Sequence, residues 1–349
     1  MSEKSLPRKP SRRGYILLGL LVAVVVGAWT TYWAVARGAI VDVLANSRKA
    51  ASASGGEFAC ANQSVGGFPF RFELSCAPLQ VGSAGGARAN LAGLRAAVLA
   101  YNPRHLIFEA DAPLEASASA AGDNIPGVSL SAGWDTARAS VRIEGDALTR
   151  ADTVFEAPEI AVSNPVLADG TPLKIRSQSG QLHVRRASDT ASGVDVALRL
   201  SQIVAGEGIA PVDADVLIHL PHAASLLAGR LSEPPANLLR APDGIGITDL
   251  KVRSGDTALS GSGSLGLDDD GFLNGTLELA VAGVNRLAEV LRPVFPEGSN
   301  IPQSLQGAVQ GFGAKTEING AEASKVTVTF DRGAARVGLI PLGKVPPAF

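Results

Sequence analysis

Apolar and polar side chains alternate along most of this chain beyond Pro78. The clearest alternating segments are 139–144, 194–201, 212–220, 276–281 and 326–330. Successive side chains of a β-strand point to opposite faces, so each segment predicts a strand with one apolar and one polar face. Repetition of this pattern favours an antiparallel sheet with one side in water. The sequence therefore predicts a mainly β protein.

Turns and helical patterns agree with this prediction. The 39 glycines and 21 prolines interrupt the chain too often for long helices. Asp270-Gly271 and Asp331–Gly333 have the composition of hairpin turns. In the C-terminal half, helical patterns occur from a capping Asn285 to Leu291 and within Pro221–Leu231. We predict an extended, curled, groove-like antiparallel sheet with a few helices covering its apolar face.

An uncharged segment, residues 14–36, lies near the N-terminus. As a helix it would be roughly 34 Å long at 1.5 Å per residue, which is enough to cross a bilayer. Trp29, Tyr32 and Trp33 cluster at its C-terminal end, where an aromatic belt would lie. The segment predicts a transmembrane helix and hence the membrane as a partner.

Five basic residues against one acid in residues 1–13 predict a cytoplasmic tail, with the rest of the chain on the other side of the membrane. Ala34-Val35-Ala36 has the form of a signal-peptide cleavage site, so removal of the segment remains an alternative. The uncharged run is longer than the apolar region of a signal peptide, which favours an uncleaved anchor.

Residues 37–57 predict an amphipathic linker helix that ends at Gly55-Gly56, and residues 58–349 a β-rich domain. Cys60 and Cys76 are the two cysteines of the chain. In a domain outside the cytoplasm, two cysteines this close predict a structural disulfide. Two buried free thiols are the alternative.

A short motif lies between the cysteines and consists of Gly66, Gly67, Phe68, Pro69, Phe70, Arg71 and Phe72. The glycines allow a turn, and alternation after them predicts an edge strand. We expect the three phenylalanines to be buried on one face, with Arg71 on the other. Arg71 would be solvated, or paired with a carboxylate or a lipid phosphate.

The distribution of charge argues against nucleic-acid binding. The chain carries 31 basic and 33 acidic residues, and five of the basic residues lie in the N-terminal tail. The β-rich domain is therefore net acidic, whereas a nucleic-acid-binding domain is basic.

The motifs that resemble known catalytic or cofactor sites are incomplete. Gly261–Gly266 matches G-x-G-x-x-G, but a hairpin turn follows where a dinucleotide site needs a helix. In Gly311–Thr316, Ala314 replaces the glycine that a phosphate loop requires. We therefore predict no catalytic residue and no cofactor.

The candidate metal ligands are equally incomplete. His219 and His222 are separated by Pro221, which breaks the helix that a pair of ligands would need. Asp268–Asp270 lacks the alternating ligands and the terminal Glu of a calcium loop. We predict no metal site.

Three stretches together resemble one protein family: GGFPFRFEL at 66–74, the glycine-rich hairpin at 263–279 and the C-terminal segment 328–343. They resemble the proteobacterial domain-of-unknown-function family 2125, over roughly residues 15–349. The resemblance implies a membrane-anchored periplasmic protein and no known activity.

The last two stretches also resemble AsmA-like envelope proteins, which are anchored in the inner membrane and form long β-grooves implicated in lipid transfer. This implies a single-pass protein of the bacterial inner membrane, with its bulk in the periplasm. We expect a cell-envelope module that binds lipid or another apolar ligand in a β-groove. An envelope scaffold that binds protein partners, and a periplasmic hydrolase with an unrecognised site, remain alternatives.

Overall fold

The structure is a computed structural model. It describes residues 12–118, 128–145, 147–163, 172–188, 190, 192–205, 210–227, 240, 244–292, 295 and 298–347. Most of the basic tail, residues 1–11, lies outside these residues, as does the predicted helix beyond Leu227.

The longest helix is α1 (Arg12–Ala53), which is long and apolar enough to cross a membrane. It contains the uncharged segment and most of the linker predicted after it, without a break between them. The other helical elements are α2 (Ala224–Leu227), a 3-10 turn (Val284–Arg286), α3 (Leu287–Leu291) and α4 (Ile301–Phe312).

The described residues form 21 strands. In the first half they are β1 (Glu57–Cys60), β2 (Ser64–Gly66), β3 (Arg71–Cys76), β4 (Leu79–Gly82), β5 (Arg88–Leu99), β6 (Asn102–Ala118), β7 (Val128–Gly133), β8 (Thr136–Glu144), β9 (Ala147–Glu156), β10 (Glu159–Ser163), β11 (Leu173–Arg176) and β12 (Ser179–Arg186). In the second half they are β13 (Val194–Ala205), β14 (Val212–Leu220), β15 (Ile245–Ser254), β16 (Thr257–Leu267), β17 (Leu273–Ala282), β18 (Ala314–Ile318), β19 (Ala321–Asp331), β20 (Ala334–Val337) and β21 (Ile340–Lys344).

All pairings among these strands are antiparallel, and they join into a single sheet. Its main body follows the order β2–β3–β5–β6–β8–β9–β12–β13–β14–β15–β16–β17–β19–β20–β21. The fold is therefore mainly antiparallel β with an N-terminal apolar helix, which confirms the predicted class.

Several strands are interrupted at the same level, along a line that we call the crease: residues 134–135, 157–158, 177–178 and Gln202. On its far side, β7, β10 and β11 continue the strands β8, β9 and β12. Backbone hydrogen bonds such as Asp135 N to Glu156 O, at 2.9 Å, join neighbouring strands at the crease. Extra residues of this kind bend and twist a sheet, so we expect the sheet to bend along the crease.

A close-packed core lies at the C-terminal end of the sheet, under α3 and α4. It includes Leu259, Leu279, Val281, Leu287, Leu305, Val309, Val326 and Val328. In α4, Ile301, Leu305, Ala308 and Val309 follow helical spacing and are all buried. This helix is absent from the sequence prediction.

The predicted capping residue of α3 has another role. Arg286 is at the N-cap position, and the side-chain oxygen of Asn285 accepts a hydrogen bond from Gln310 of α4, at 3.0 Å. Asn285 therefore joins the 3-10 turn before α3 to α4.

Candidate functional site

Side chains on one face of the sheet form apolar rows that run across the strands. Residues directly opposite each other in an antiparallel pair share a face, so the register assigns each row to one side. The first row consists of Phe72, Val98, Leu106, Val141, Ala151, Val184, Val196, Ile218, Ile247, Gly263, Leu277 and Val328. The second consists of Leu74, Ala96, Phe108, Ala139, Thr153, Leu182, Leu198, Val216, Leu250, Gly261, Leu279 and Val326.

The opposite face carries charged rows. Arg95, Glu109 and Arg138 lie opposite one another on β5, β6 and β8. Glu109 forms ion pairs with both arginines, at 3.5 and 3.1 Å. Farther along the same row, Arg199 pairs with Asp215. Charges this exposed identify the face in contact with water.

Helices cover the apolar face at its two ends. At one end, Trp33 of α1 stacks on Phe72, with ring centroids 5.6 Å apart. At the other end, α3 and α4 bury Leu279 and Val326. In between, no member of either row on β5 to β14 is buried, and Leu198 is 37% exposed. Near this part, the described residues of α2 form a single turn beside β9.

We call the row members on β5 to β14 the central apolar face. They are Val98, Leu106, Val141, Ala151, Val184, Val196 and Ile218, with Ala96, Phe108, Ala139, Thr153, Leu182, Leu198 and Val216. A single half-exposed aliphatic residue has no special meaning, but fourteen contiguous positions with one polar member form a patch of the kind that binds a partner.

A cavity of about 420 Å³ lies beyond the crease. Aliphatic side chains such as Val81, Ala89, Ala116, Val128 and Leu130 predominate in its lining, beside Arg88 and two serines. The volume is within the range of small-molecule sites. The site thus combines a long apolar face with a local apolar hollow.

Hydrogen bonds from α1 fix the start of the sheet beside the helix. Trp29 Nε1 donates to the carbonyl oxygen of Pro69 at 2.8 Å, and Trp33 Nε1 donates to that of Arg71 at 3.1 Å. Farther along, Arg37 Nε donates to Val65 O at 3.0 Å, and an Arg48 nitrogen donates to Cys60 O at 2.9 Å. Side chains on one side of the helix therefore satisfy backbone acceptors that neighbouring strands leave free.

Cys60 and Cys76 form the predicted disulfide, with their Cα atoms 5.0 Å apart. Both side chains are buried. The bond joins the end of β1 to the end of β3, so it ties the strand next to α1 to the body of the sheet.

The predicted burial of the phenylalanines is wrong at two of three positions. Phe72 is 6% exposed, whereas Phe68 is 52% and Phe70 is 66% exposed. The cause is a turn, because Arg71 N donates to Gly67 O at 3.1 Å and β3 begins only at Arg71. Alternation starts after the turn, so it includes Phe72 and not the two phenylalanines before it.

The other motif residues also depart from the predicted edge strand. β3 pairs with β2 on one side and with β5 on the other, so it is an interior strand. Gly67 has φ +96°, and a Cβ there would lie 2.7 Å from Arg71 O, so the turn requires glycine. Arg71 is exposed and pairs with Glu73 at 2.7 Å, the carboxylate alternative of the sequence prediction.

Comparison with known proteins identifies a family. A family model described as "Uncharacterized protein conserved in bacteria (DUF2125)" matches residues 33–346. The chain belongs to this family. No curated protein and no solved structure matches it. In this member of DUF2125, the match begins at Trp33 and so includes the contact between α1 and Phe72.

Polar side chains on the charged face form one cluster that the sequence did not indicate. His105 Nε2 lies 2.8 Å from Ser140 Oγ, and His183 Nδ1 lies 2.7 Å from Asp152 Oδ1. Ser140 and Asp152 are opposite each other on β8 and β9. The four residues come from four strands, so no sequence spacing could reveal them. They lie on an open strand surface and line neither of the two cavities described here.

Electrostatics in this cluster favour ionised Asp152. Partial burial alone would raise its pKa, but hydrogen bonds from Arg150 and His183 outweigh this and hold the pKa of Asp152 below its ordinary value. Groups of three or more metal-ligating side chains are absent from the described residues.

Two further acidic features have structural partners. Asp268 Oδ1 accepts hydrogen bonds from the backbone N–H groups of Asp270 and Phe272, at 3.1 and 2.8 Å, so it shapes the hairpin turn.

A charged cavity of about 460 Å³ near β13–β16 contains Arg199 and Asp215, which pair with each other, and Lys251, which pairs with Asp249.

Proposed function

We propose that this protein is a cell-envelope binding module that holds lipid or another apolar ligand on the central apolar face. The observation that carries the proposal is that, in the described part of the chain, this face stays partly exposed between two helix-covered ends. A sheet of this size could bury the same side chains against helices, as it does at β16–β19. Leaving them accessible costs hydrophobic free energy, at about 25 cal/mol per Å², which a bound apolar ligand would restore.

The composition of the face suits an acyl chain better than a polar ligand. Its one polar member is Thr153, and its other members are aliphatic apart from Phe108. Acyl chains need apolar contact along their length and few directional hydrogen bonds. The apolar cavity beyond the crease adds space of the same chemistry.

We propose that α1 holds this module at the bacterial inner membrane, with the N-terminus in the cytoplasm and the sheet in the periplasm. The disulfide supports this location, because such bonds persist in the periplasm and are rare in the cytoplasm. A protein beside the membrane, with an apolar face, is placed to take up lipid.

The test compares lipid bound to full-length protein and to two variants, by mass spectrometry after detergent extraction. Leu198→Asp places a charge in the middle of the central apolar face. Ala197→Asp places the same charge on the same strand, but on the opposite face. Lipid around α1 is common to all three proteins, so the difference between the variants reports the sheet alone.

We expect Leu198→Asp to lose a defined population of lipid that the wild type and Ala197→Asp retain. Leu198 is already partly exposed, so the variant should fold. Equal lipid in all three proteins would reject the proposal and favour the scaffold role, in which protein partners use the sheet.

A further inference from the structure

Two turns at the end of the sheet next to α1 lie side by side and expose three aromatic side chains. Ala100 N donates to Phe70 O at 2.8 Å, which joins the β2–β3 turn to the β5–β6 turn. Phe68 is 52%, Phe70 is 66% and Tyr101 is 69% exposed. We call these three residues the aromatic tip. Aromatics are only 5% of the chain, so three exposed at one point is a concentration that needs a cause.

The position of the aromatic tip along α1 is fixed by hydrogen bonds. Trp29 Nε1 donates to Pro69 O at 2.8 Å, and the Tyr32 hydroxyl donates to Ala100 O at 2.9 Å. Phe68 also packs edge-on against Trp33, with ring centroids 5.3 Å apart. Both turns are therefore attached to the helix between residues 29 and 33.

That level of the helix coincides with the expected surface of a bilayer. A hydrocarbon core of about 30 Å takes about 20 helical residues. Counted from Gly14, the first residue after the arginines, such a span ends near Trp33. Trp and Tyr prefer this boundary, because their rings are apolar and their N–H and O–H groups are polar. Here the polar groups of Trp29, Tyr32 and Trp33 bind the turns of the sheet.

We propose that Phe68, Phe70 and Tyr101 insert into the interface of the same bilayer that α1 crosses, as a second membrane contact. The helix fixes the depth of the protein, and the aromatic tip fixes the rotation of the sheet about the helix. This inference rests on α1 being a membrane span. It holds whether or not the central apolar face binds lipid.

Positive charge beyond the aromatic tip fits an anionic membrane surface. Arg142, Arg150 and Arg185 lie directly opposite one another on β8, β9 and β12. Like charges in such positions repel. Arg150 and Arg185 pair with Asp152 and Asp195, at 2.6 and 3.1 Å, which leaves Arg142 without an ion pair among the described residues. Arg142 is opposite His105 in the register of β6 and β8. His105 is four residues after Tyr101, which corresponds to about 13 Å along a strand, so Arg142 lies about that far from the aromatic tip. Lipid phosphates at the surface would offset this repulsion.

The test is site-specific photocrosslinking of the full-length protein in nanodiscs of phosphatidylethanolamine and phosphatidylglycerol. The photoreactive residue p-benzoylphenylalanine replaces Phe70 or Tyr101, one at a time. Phe312 is the matched control, because it is 69% exposed and lies at the end of α4, in the other end of the sheet. Val25, within the uncharged segment of α1, is the positive control.

We expect lipid adducts, detected as a mass increase on the peptide, at positions 70, 101 and 25, with background only at 312. Adducts at 25 without adducts at 70 and 101 would overturn the proposal, since the anchor would be embedded while the tip stayed in water. Equal adducts at 70 and 312 would overturn it as well. Phe70 and Tyr101 lie in different turns, so one informative position is enough if the other substitution impairs folding.

Discussion

The apolar face has the same strand arrangement over β5–β14 and over β16–β19, but its side chains are buried to different extents in these two parts. Leu198 and Leu279 belong to the same row and lie on the same face of one sheet. Leu279 is 6% exposed because α3 and α4 lie over it, whereas Leu198 is 37% exposed. The strands alone therefore do not decide burial. The covering layer does: α3 and α4 bury Leu279, Val326 and Val328, whereas no described helix of comparable length covers β5–β14.

Over the covered part, hydrogen bonds also join the covering helices to each other. The side chain of Gln306 in α4 accepts a hydrogen bond from Ala288 N in α3, at 2.9 Å. Together with Asn285 and Gln310, this contact holds the two helices as one lid. One end of the sheet is therefore a conventional hydrophobic core, whereas the central apolar face has the apolar composition of a core but remains partly exposed.

The largest expected effect is on the covered part. Leu279→Ala should lower the free energy of unfolding by about 2–5 kcal/mol, because it leaves a cavity in a packed core. Leu198→Ala, the matched change in the same row, should cost about 1 kcal/mol or less, because the side chain is partly exposed already. Hydrogen–deuterium exchange on peptides from β17 and β13 reports each region separately. Equal losses of protection would contradict the difference between the two parts.

At the end of the face next to α1, a disulfide reinforces the sheet in addition to the contact between Trp33 and Phe72. Replacing Cys60 and Cys76 together by Ser should cost about 3 kcal/mol, since the bond closes a loop with a separation of 16 residues. Limited proteolysis should then cut near β1–β4 while the core under α4 stays intact. Simultaneous cleavage of both ends would show that they unfold as one unit.

The smallest expected effect on stability comes from Asp152, on the charged face opposite the central apolar face. Asp152 has a lowered pKa, so its ionised form stabilises the fold above the ordinary pKa of a carboxyl group. That contribution disappears as the pH falls through the lower, folded pKa. Asp152→Asn should therefore lower stability by under about 1 kcal/mol at neutral pH, since the site is partly exposed. Thermal unfolding curves of the two proteins should converge in acid, and a constant difference at every pH would argue against this origin.

The sequence predicts the strands well because alternation is local. It also predicts the disulfide and the apolar helix, since both depend on residue type and separation. It does not predict the rows, because each row joins residues from twelve strands whose register only the folded sheet shows. A partly covered apolar face is thus expected from the sequence, but which strands it leaves uncovered is not.

The errors have local physical causes. Helix α4 carries Pro302, Gly307 and Gly311, which lower helix propensity, and its helical spacing becomes decisive only once it packs on the sheet. Alternation with other residues predicts a strand at Phe68 and Phe70. The hydrogen bond from Arg71 N to Gly67 O makes both residues part of a turn. Phe68 packs against Trp33, which is distant in sequence, so no local pattern shows this contact.

The row that contains Leu198 and Leu279 also defines a length. It advances one residue per strand through β3, β5, β6, β8, β9, β12, β13, β14, β15, β16, β17 and β19. Neighbouring strands are about 4.8 Å apart, so the row extends about 50 Å. Inserting or deleting one hairpin would change that reach by about 10 Å and keep every side chain on its face. The length of the apolar row can therefore change in steps of one hairpin without changing which face each side chain occupies.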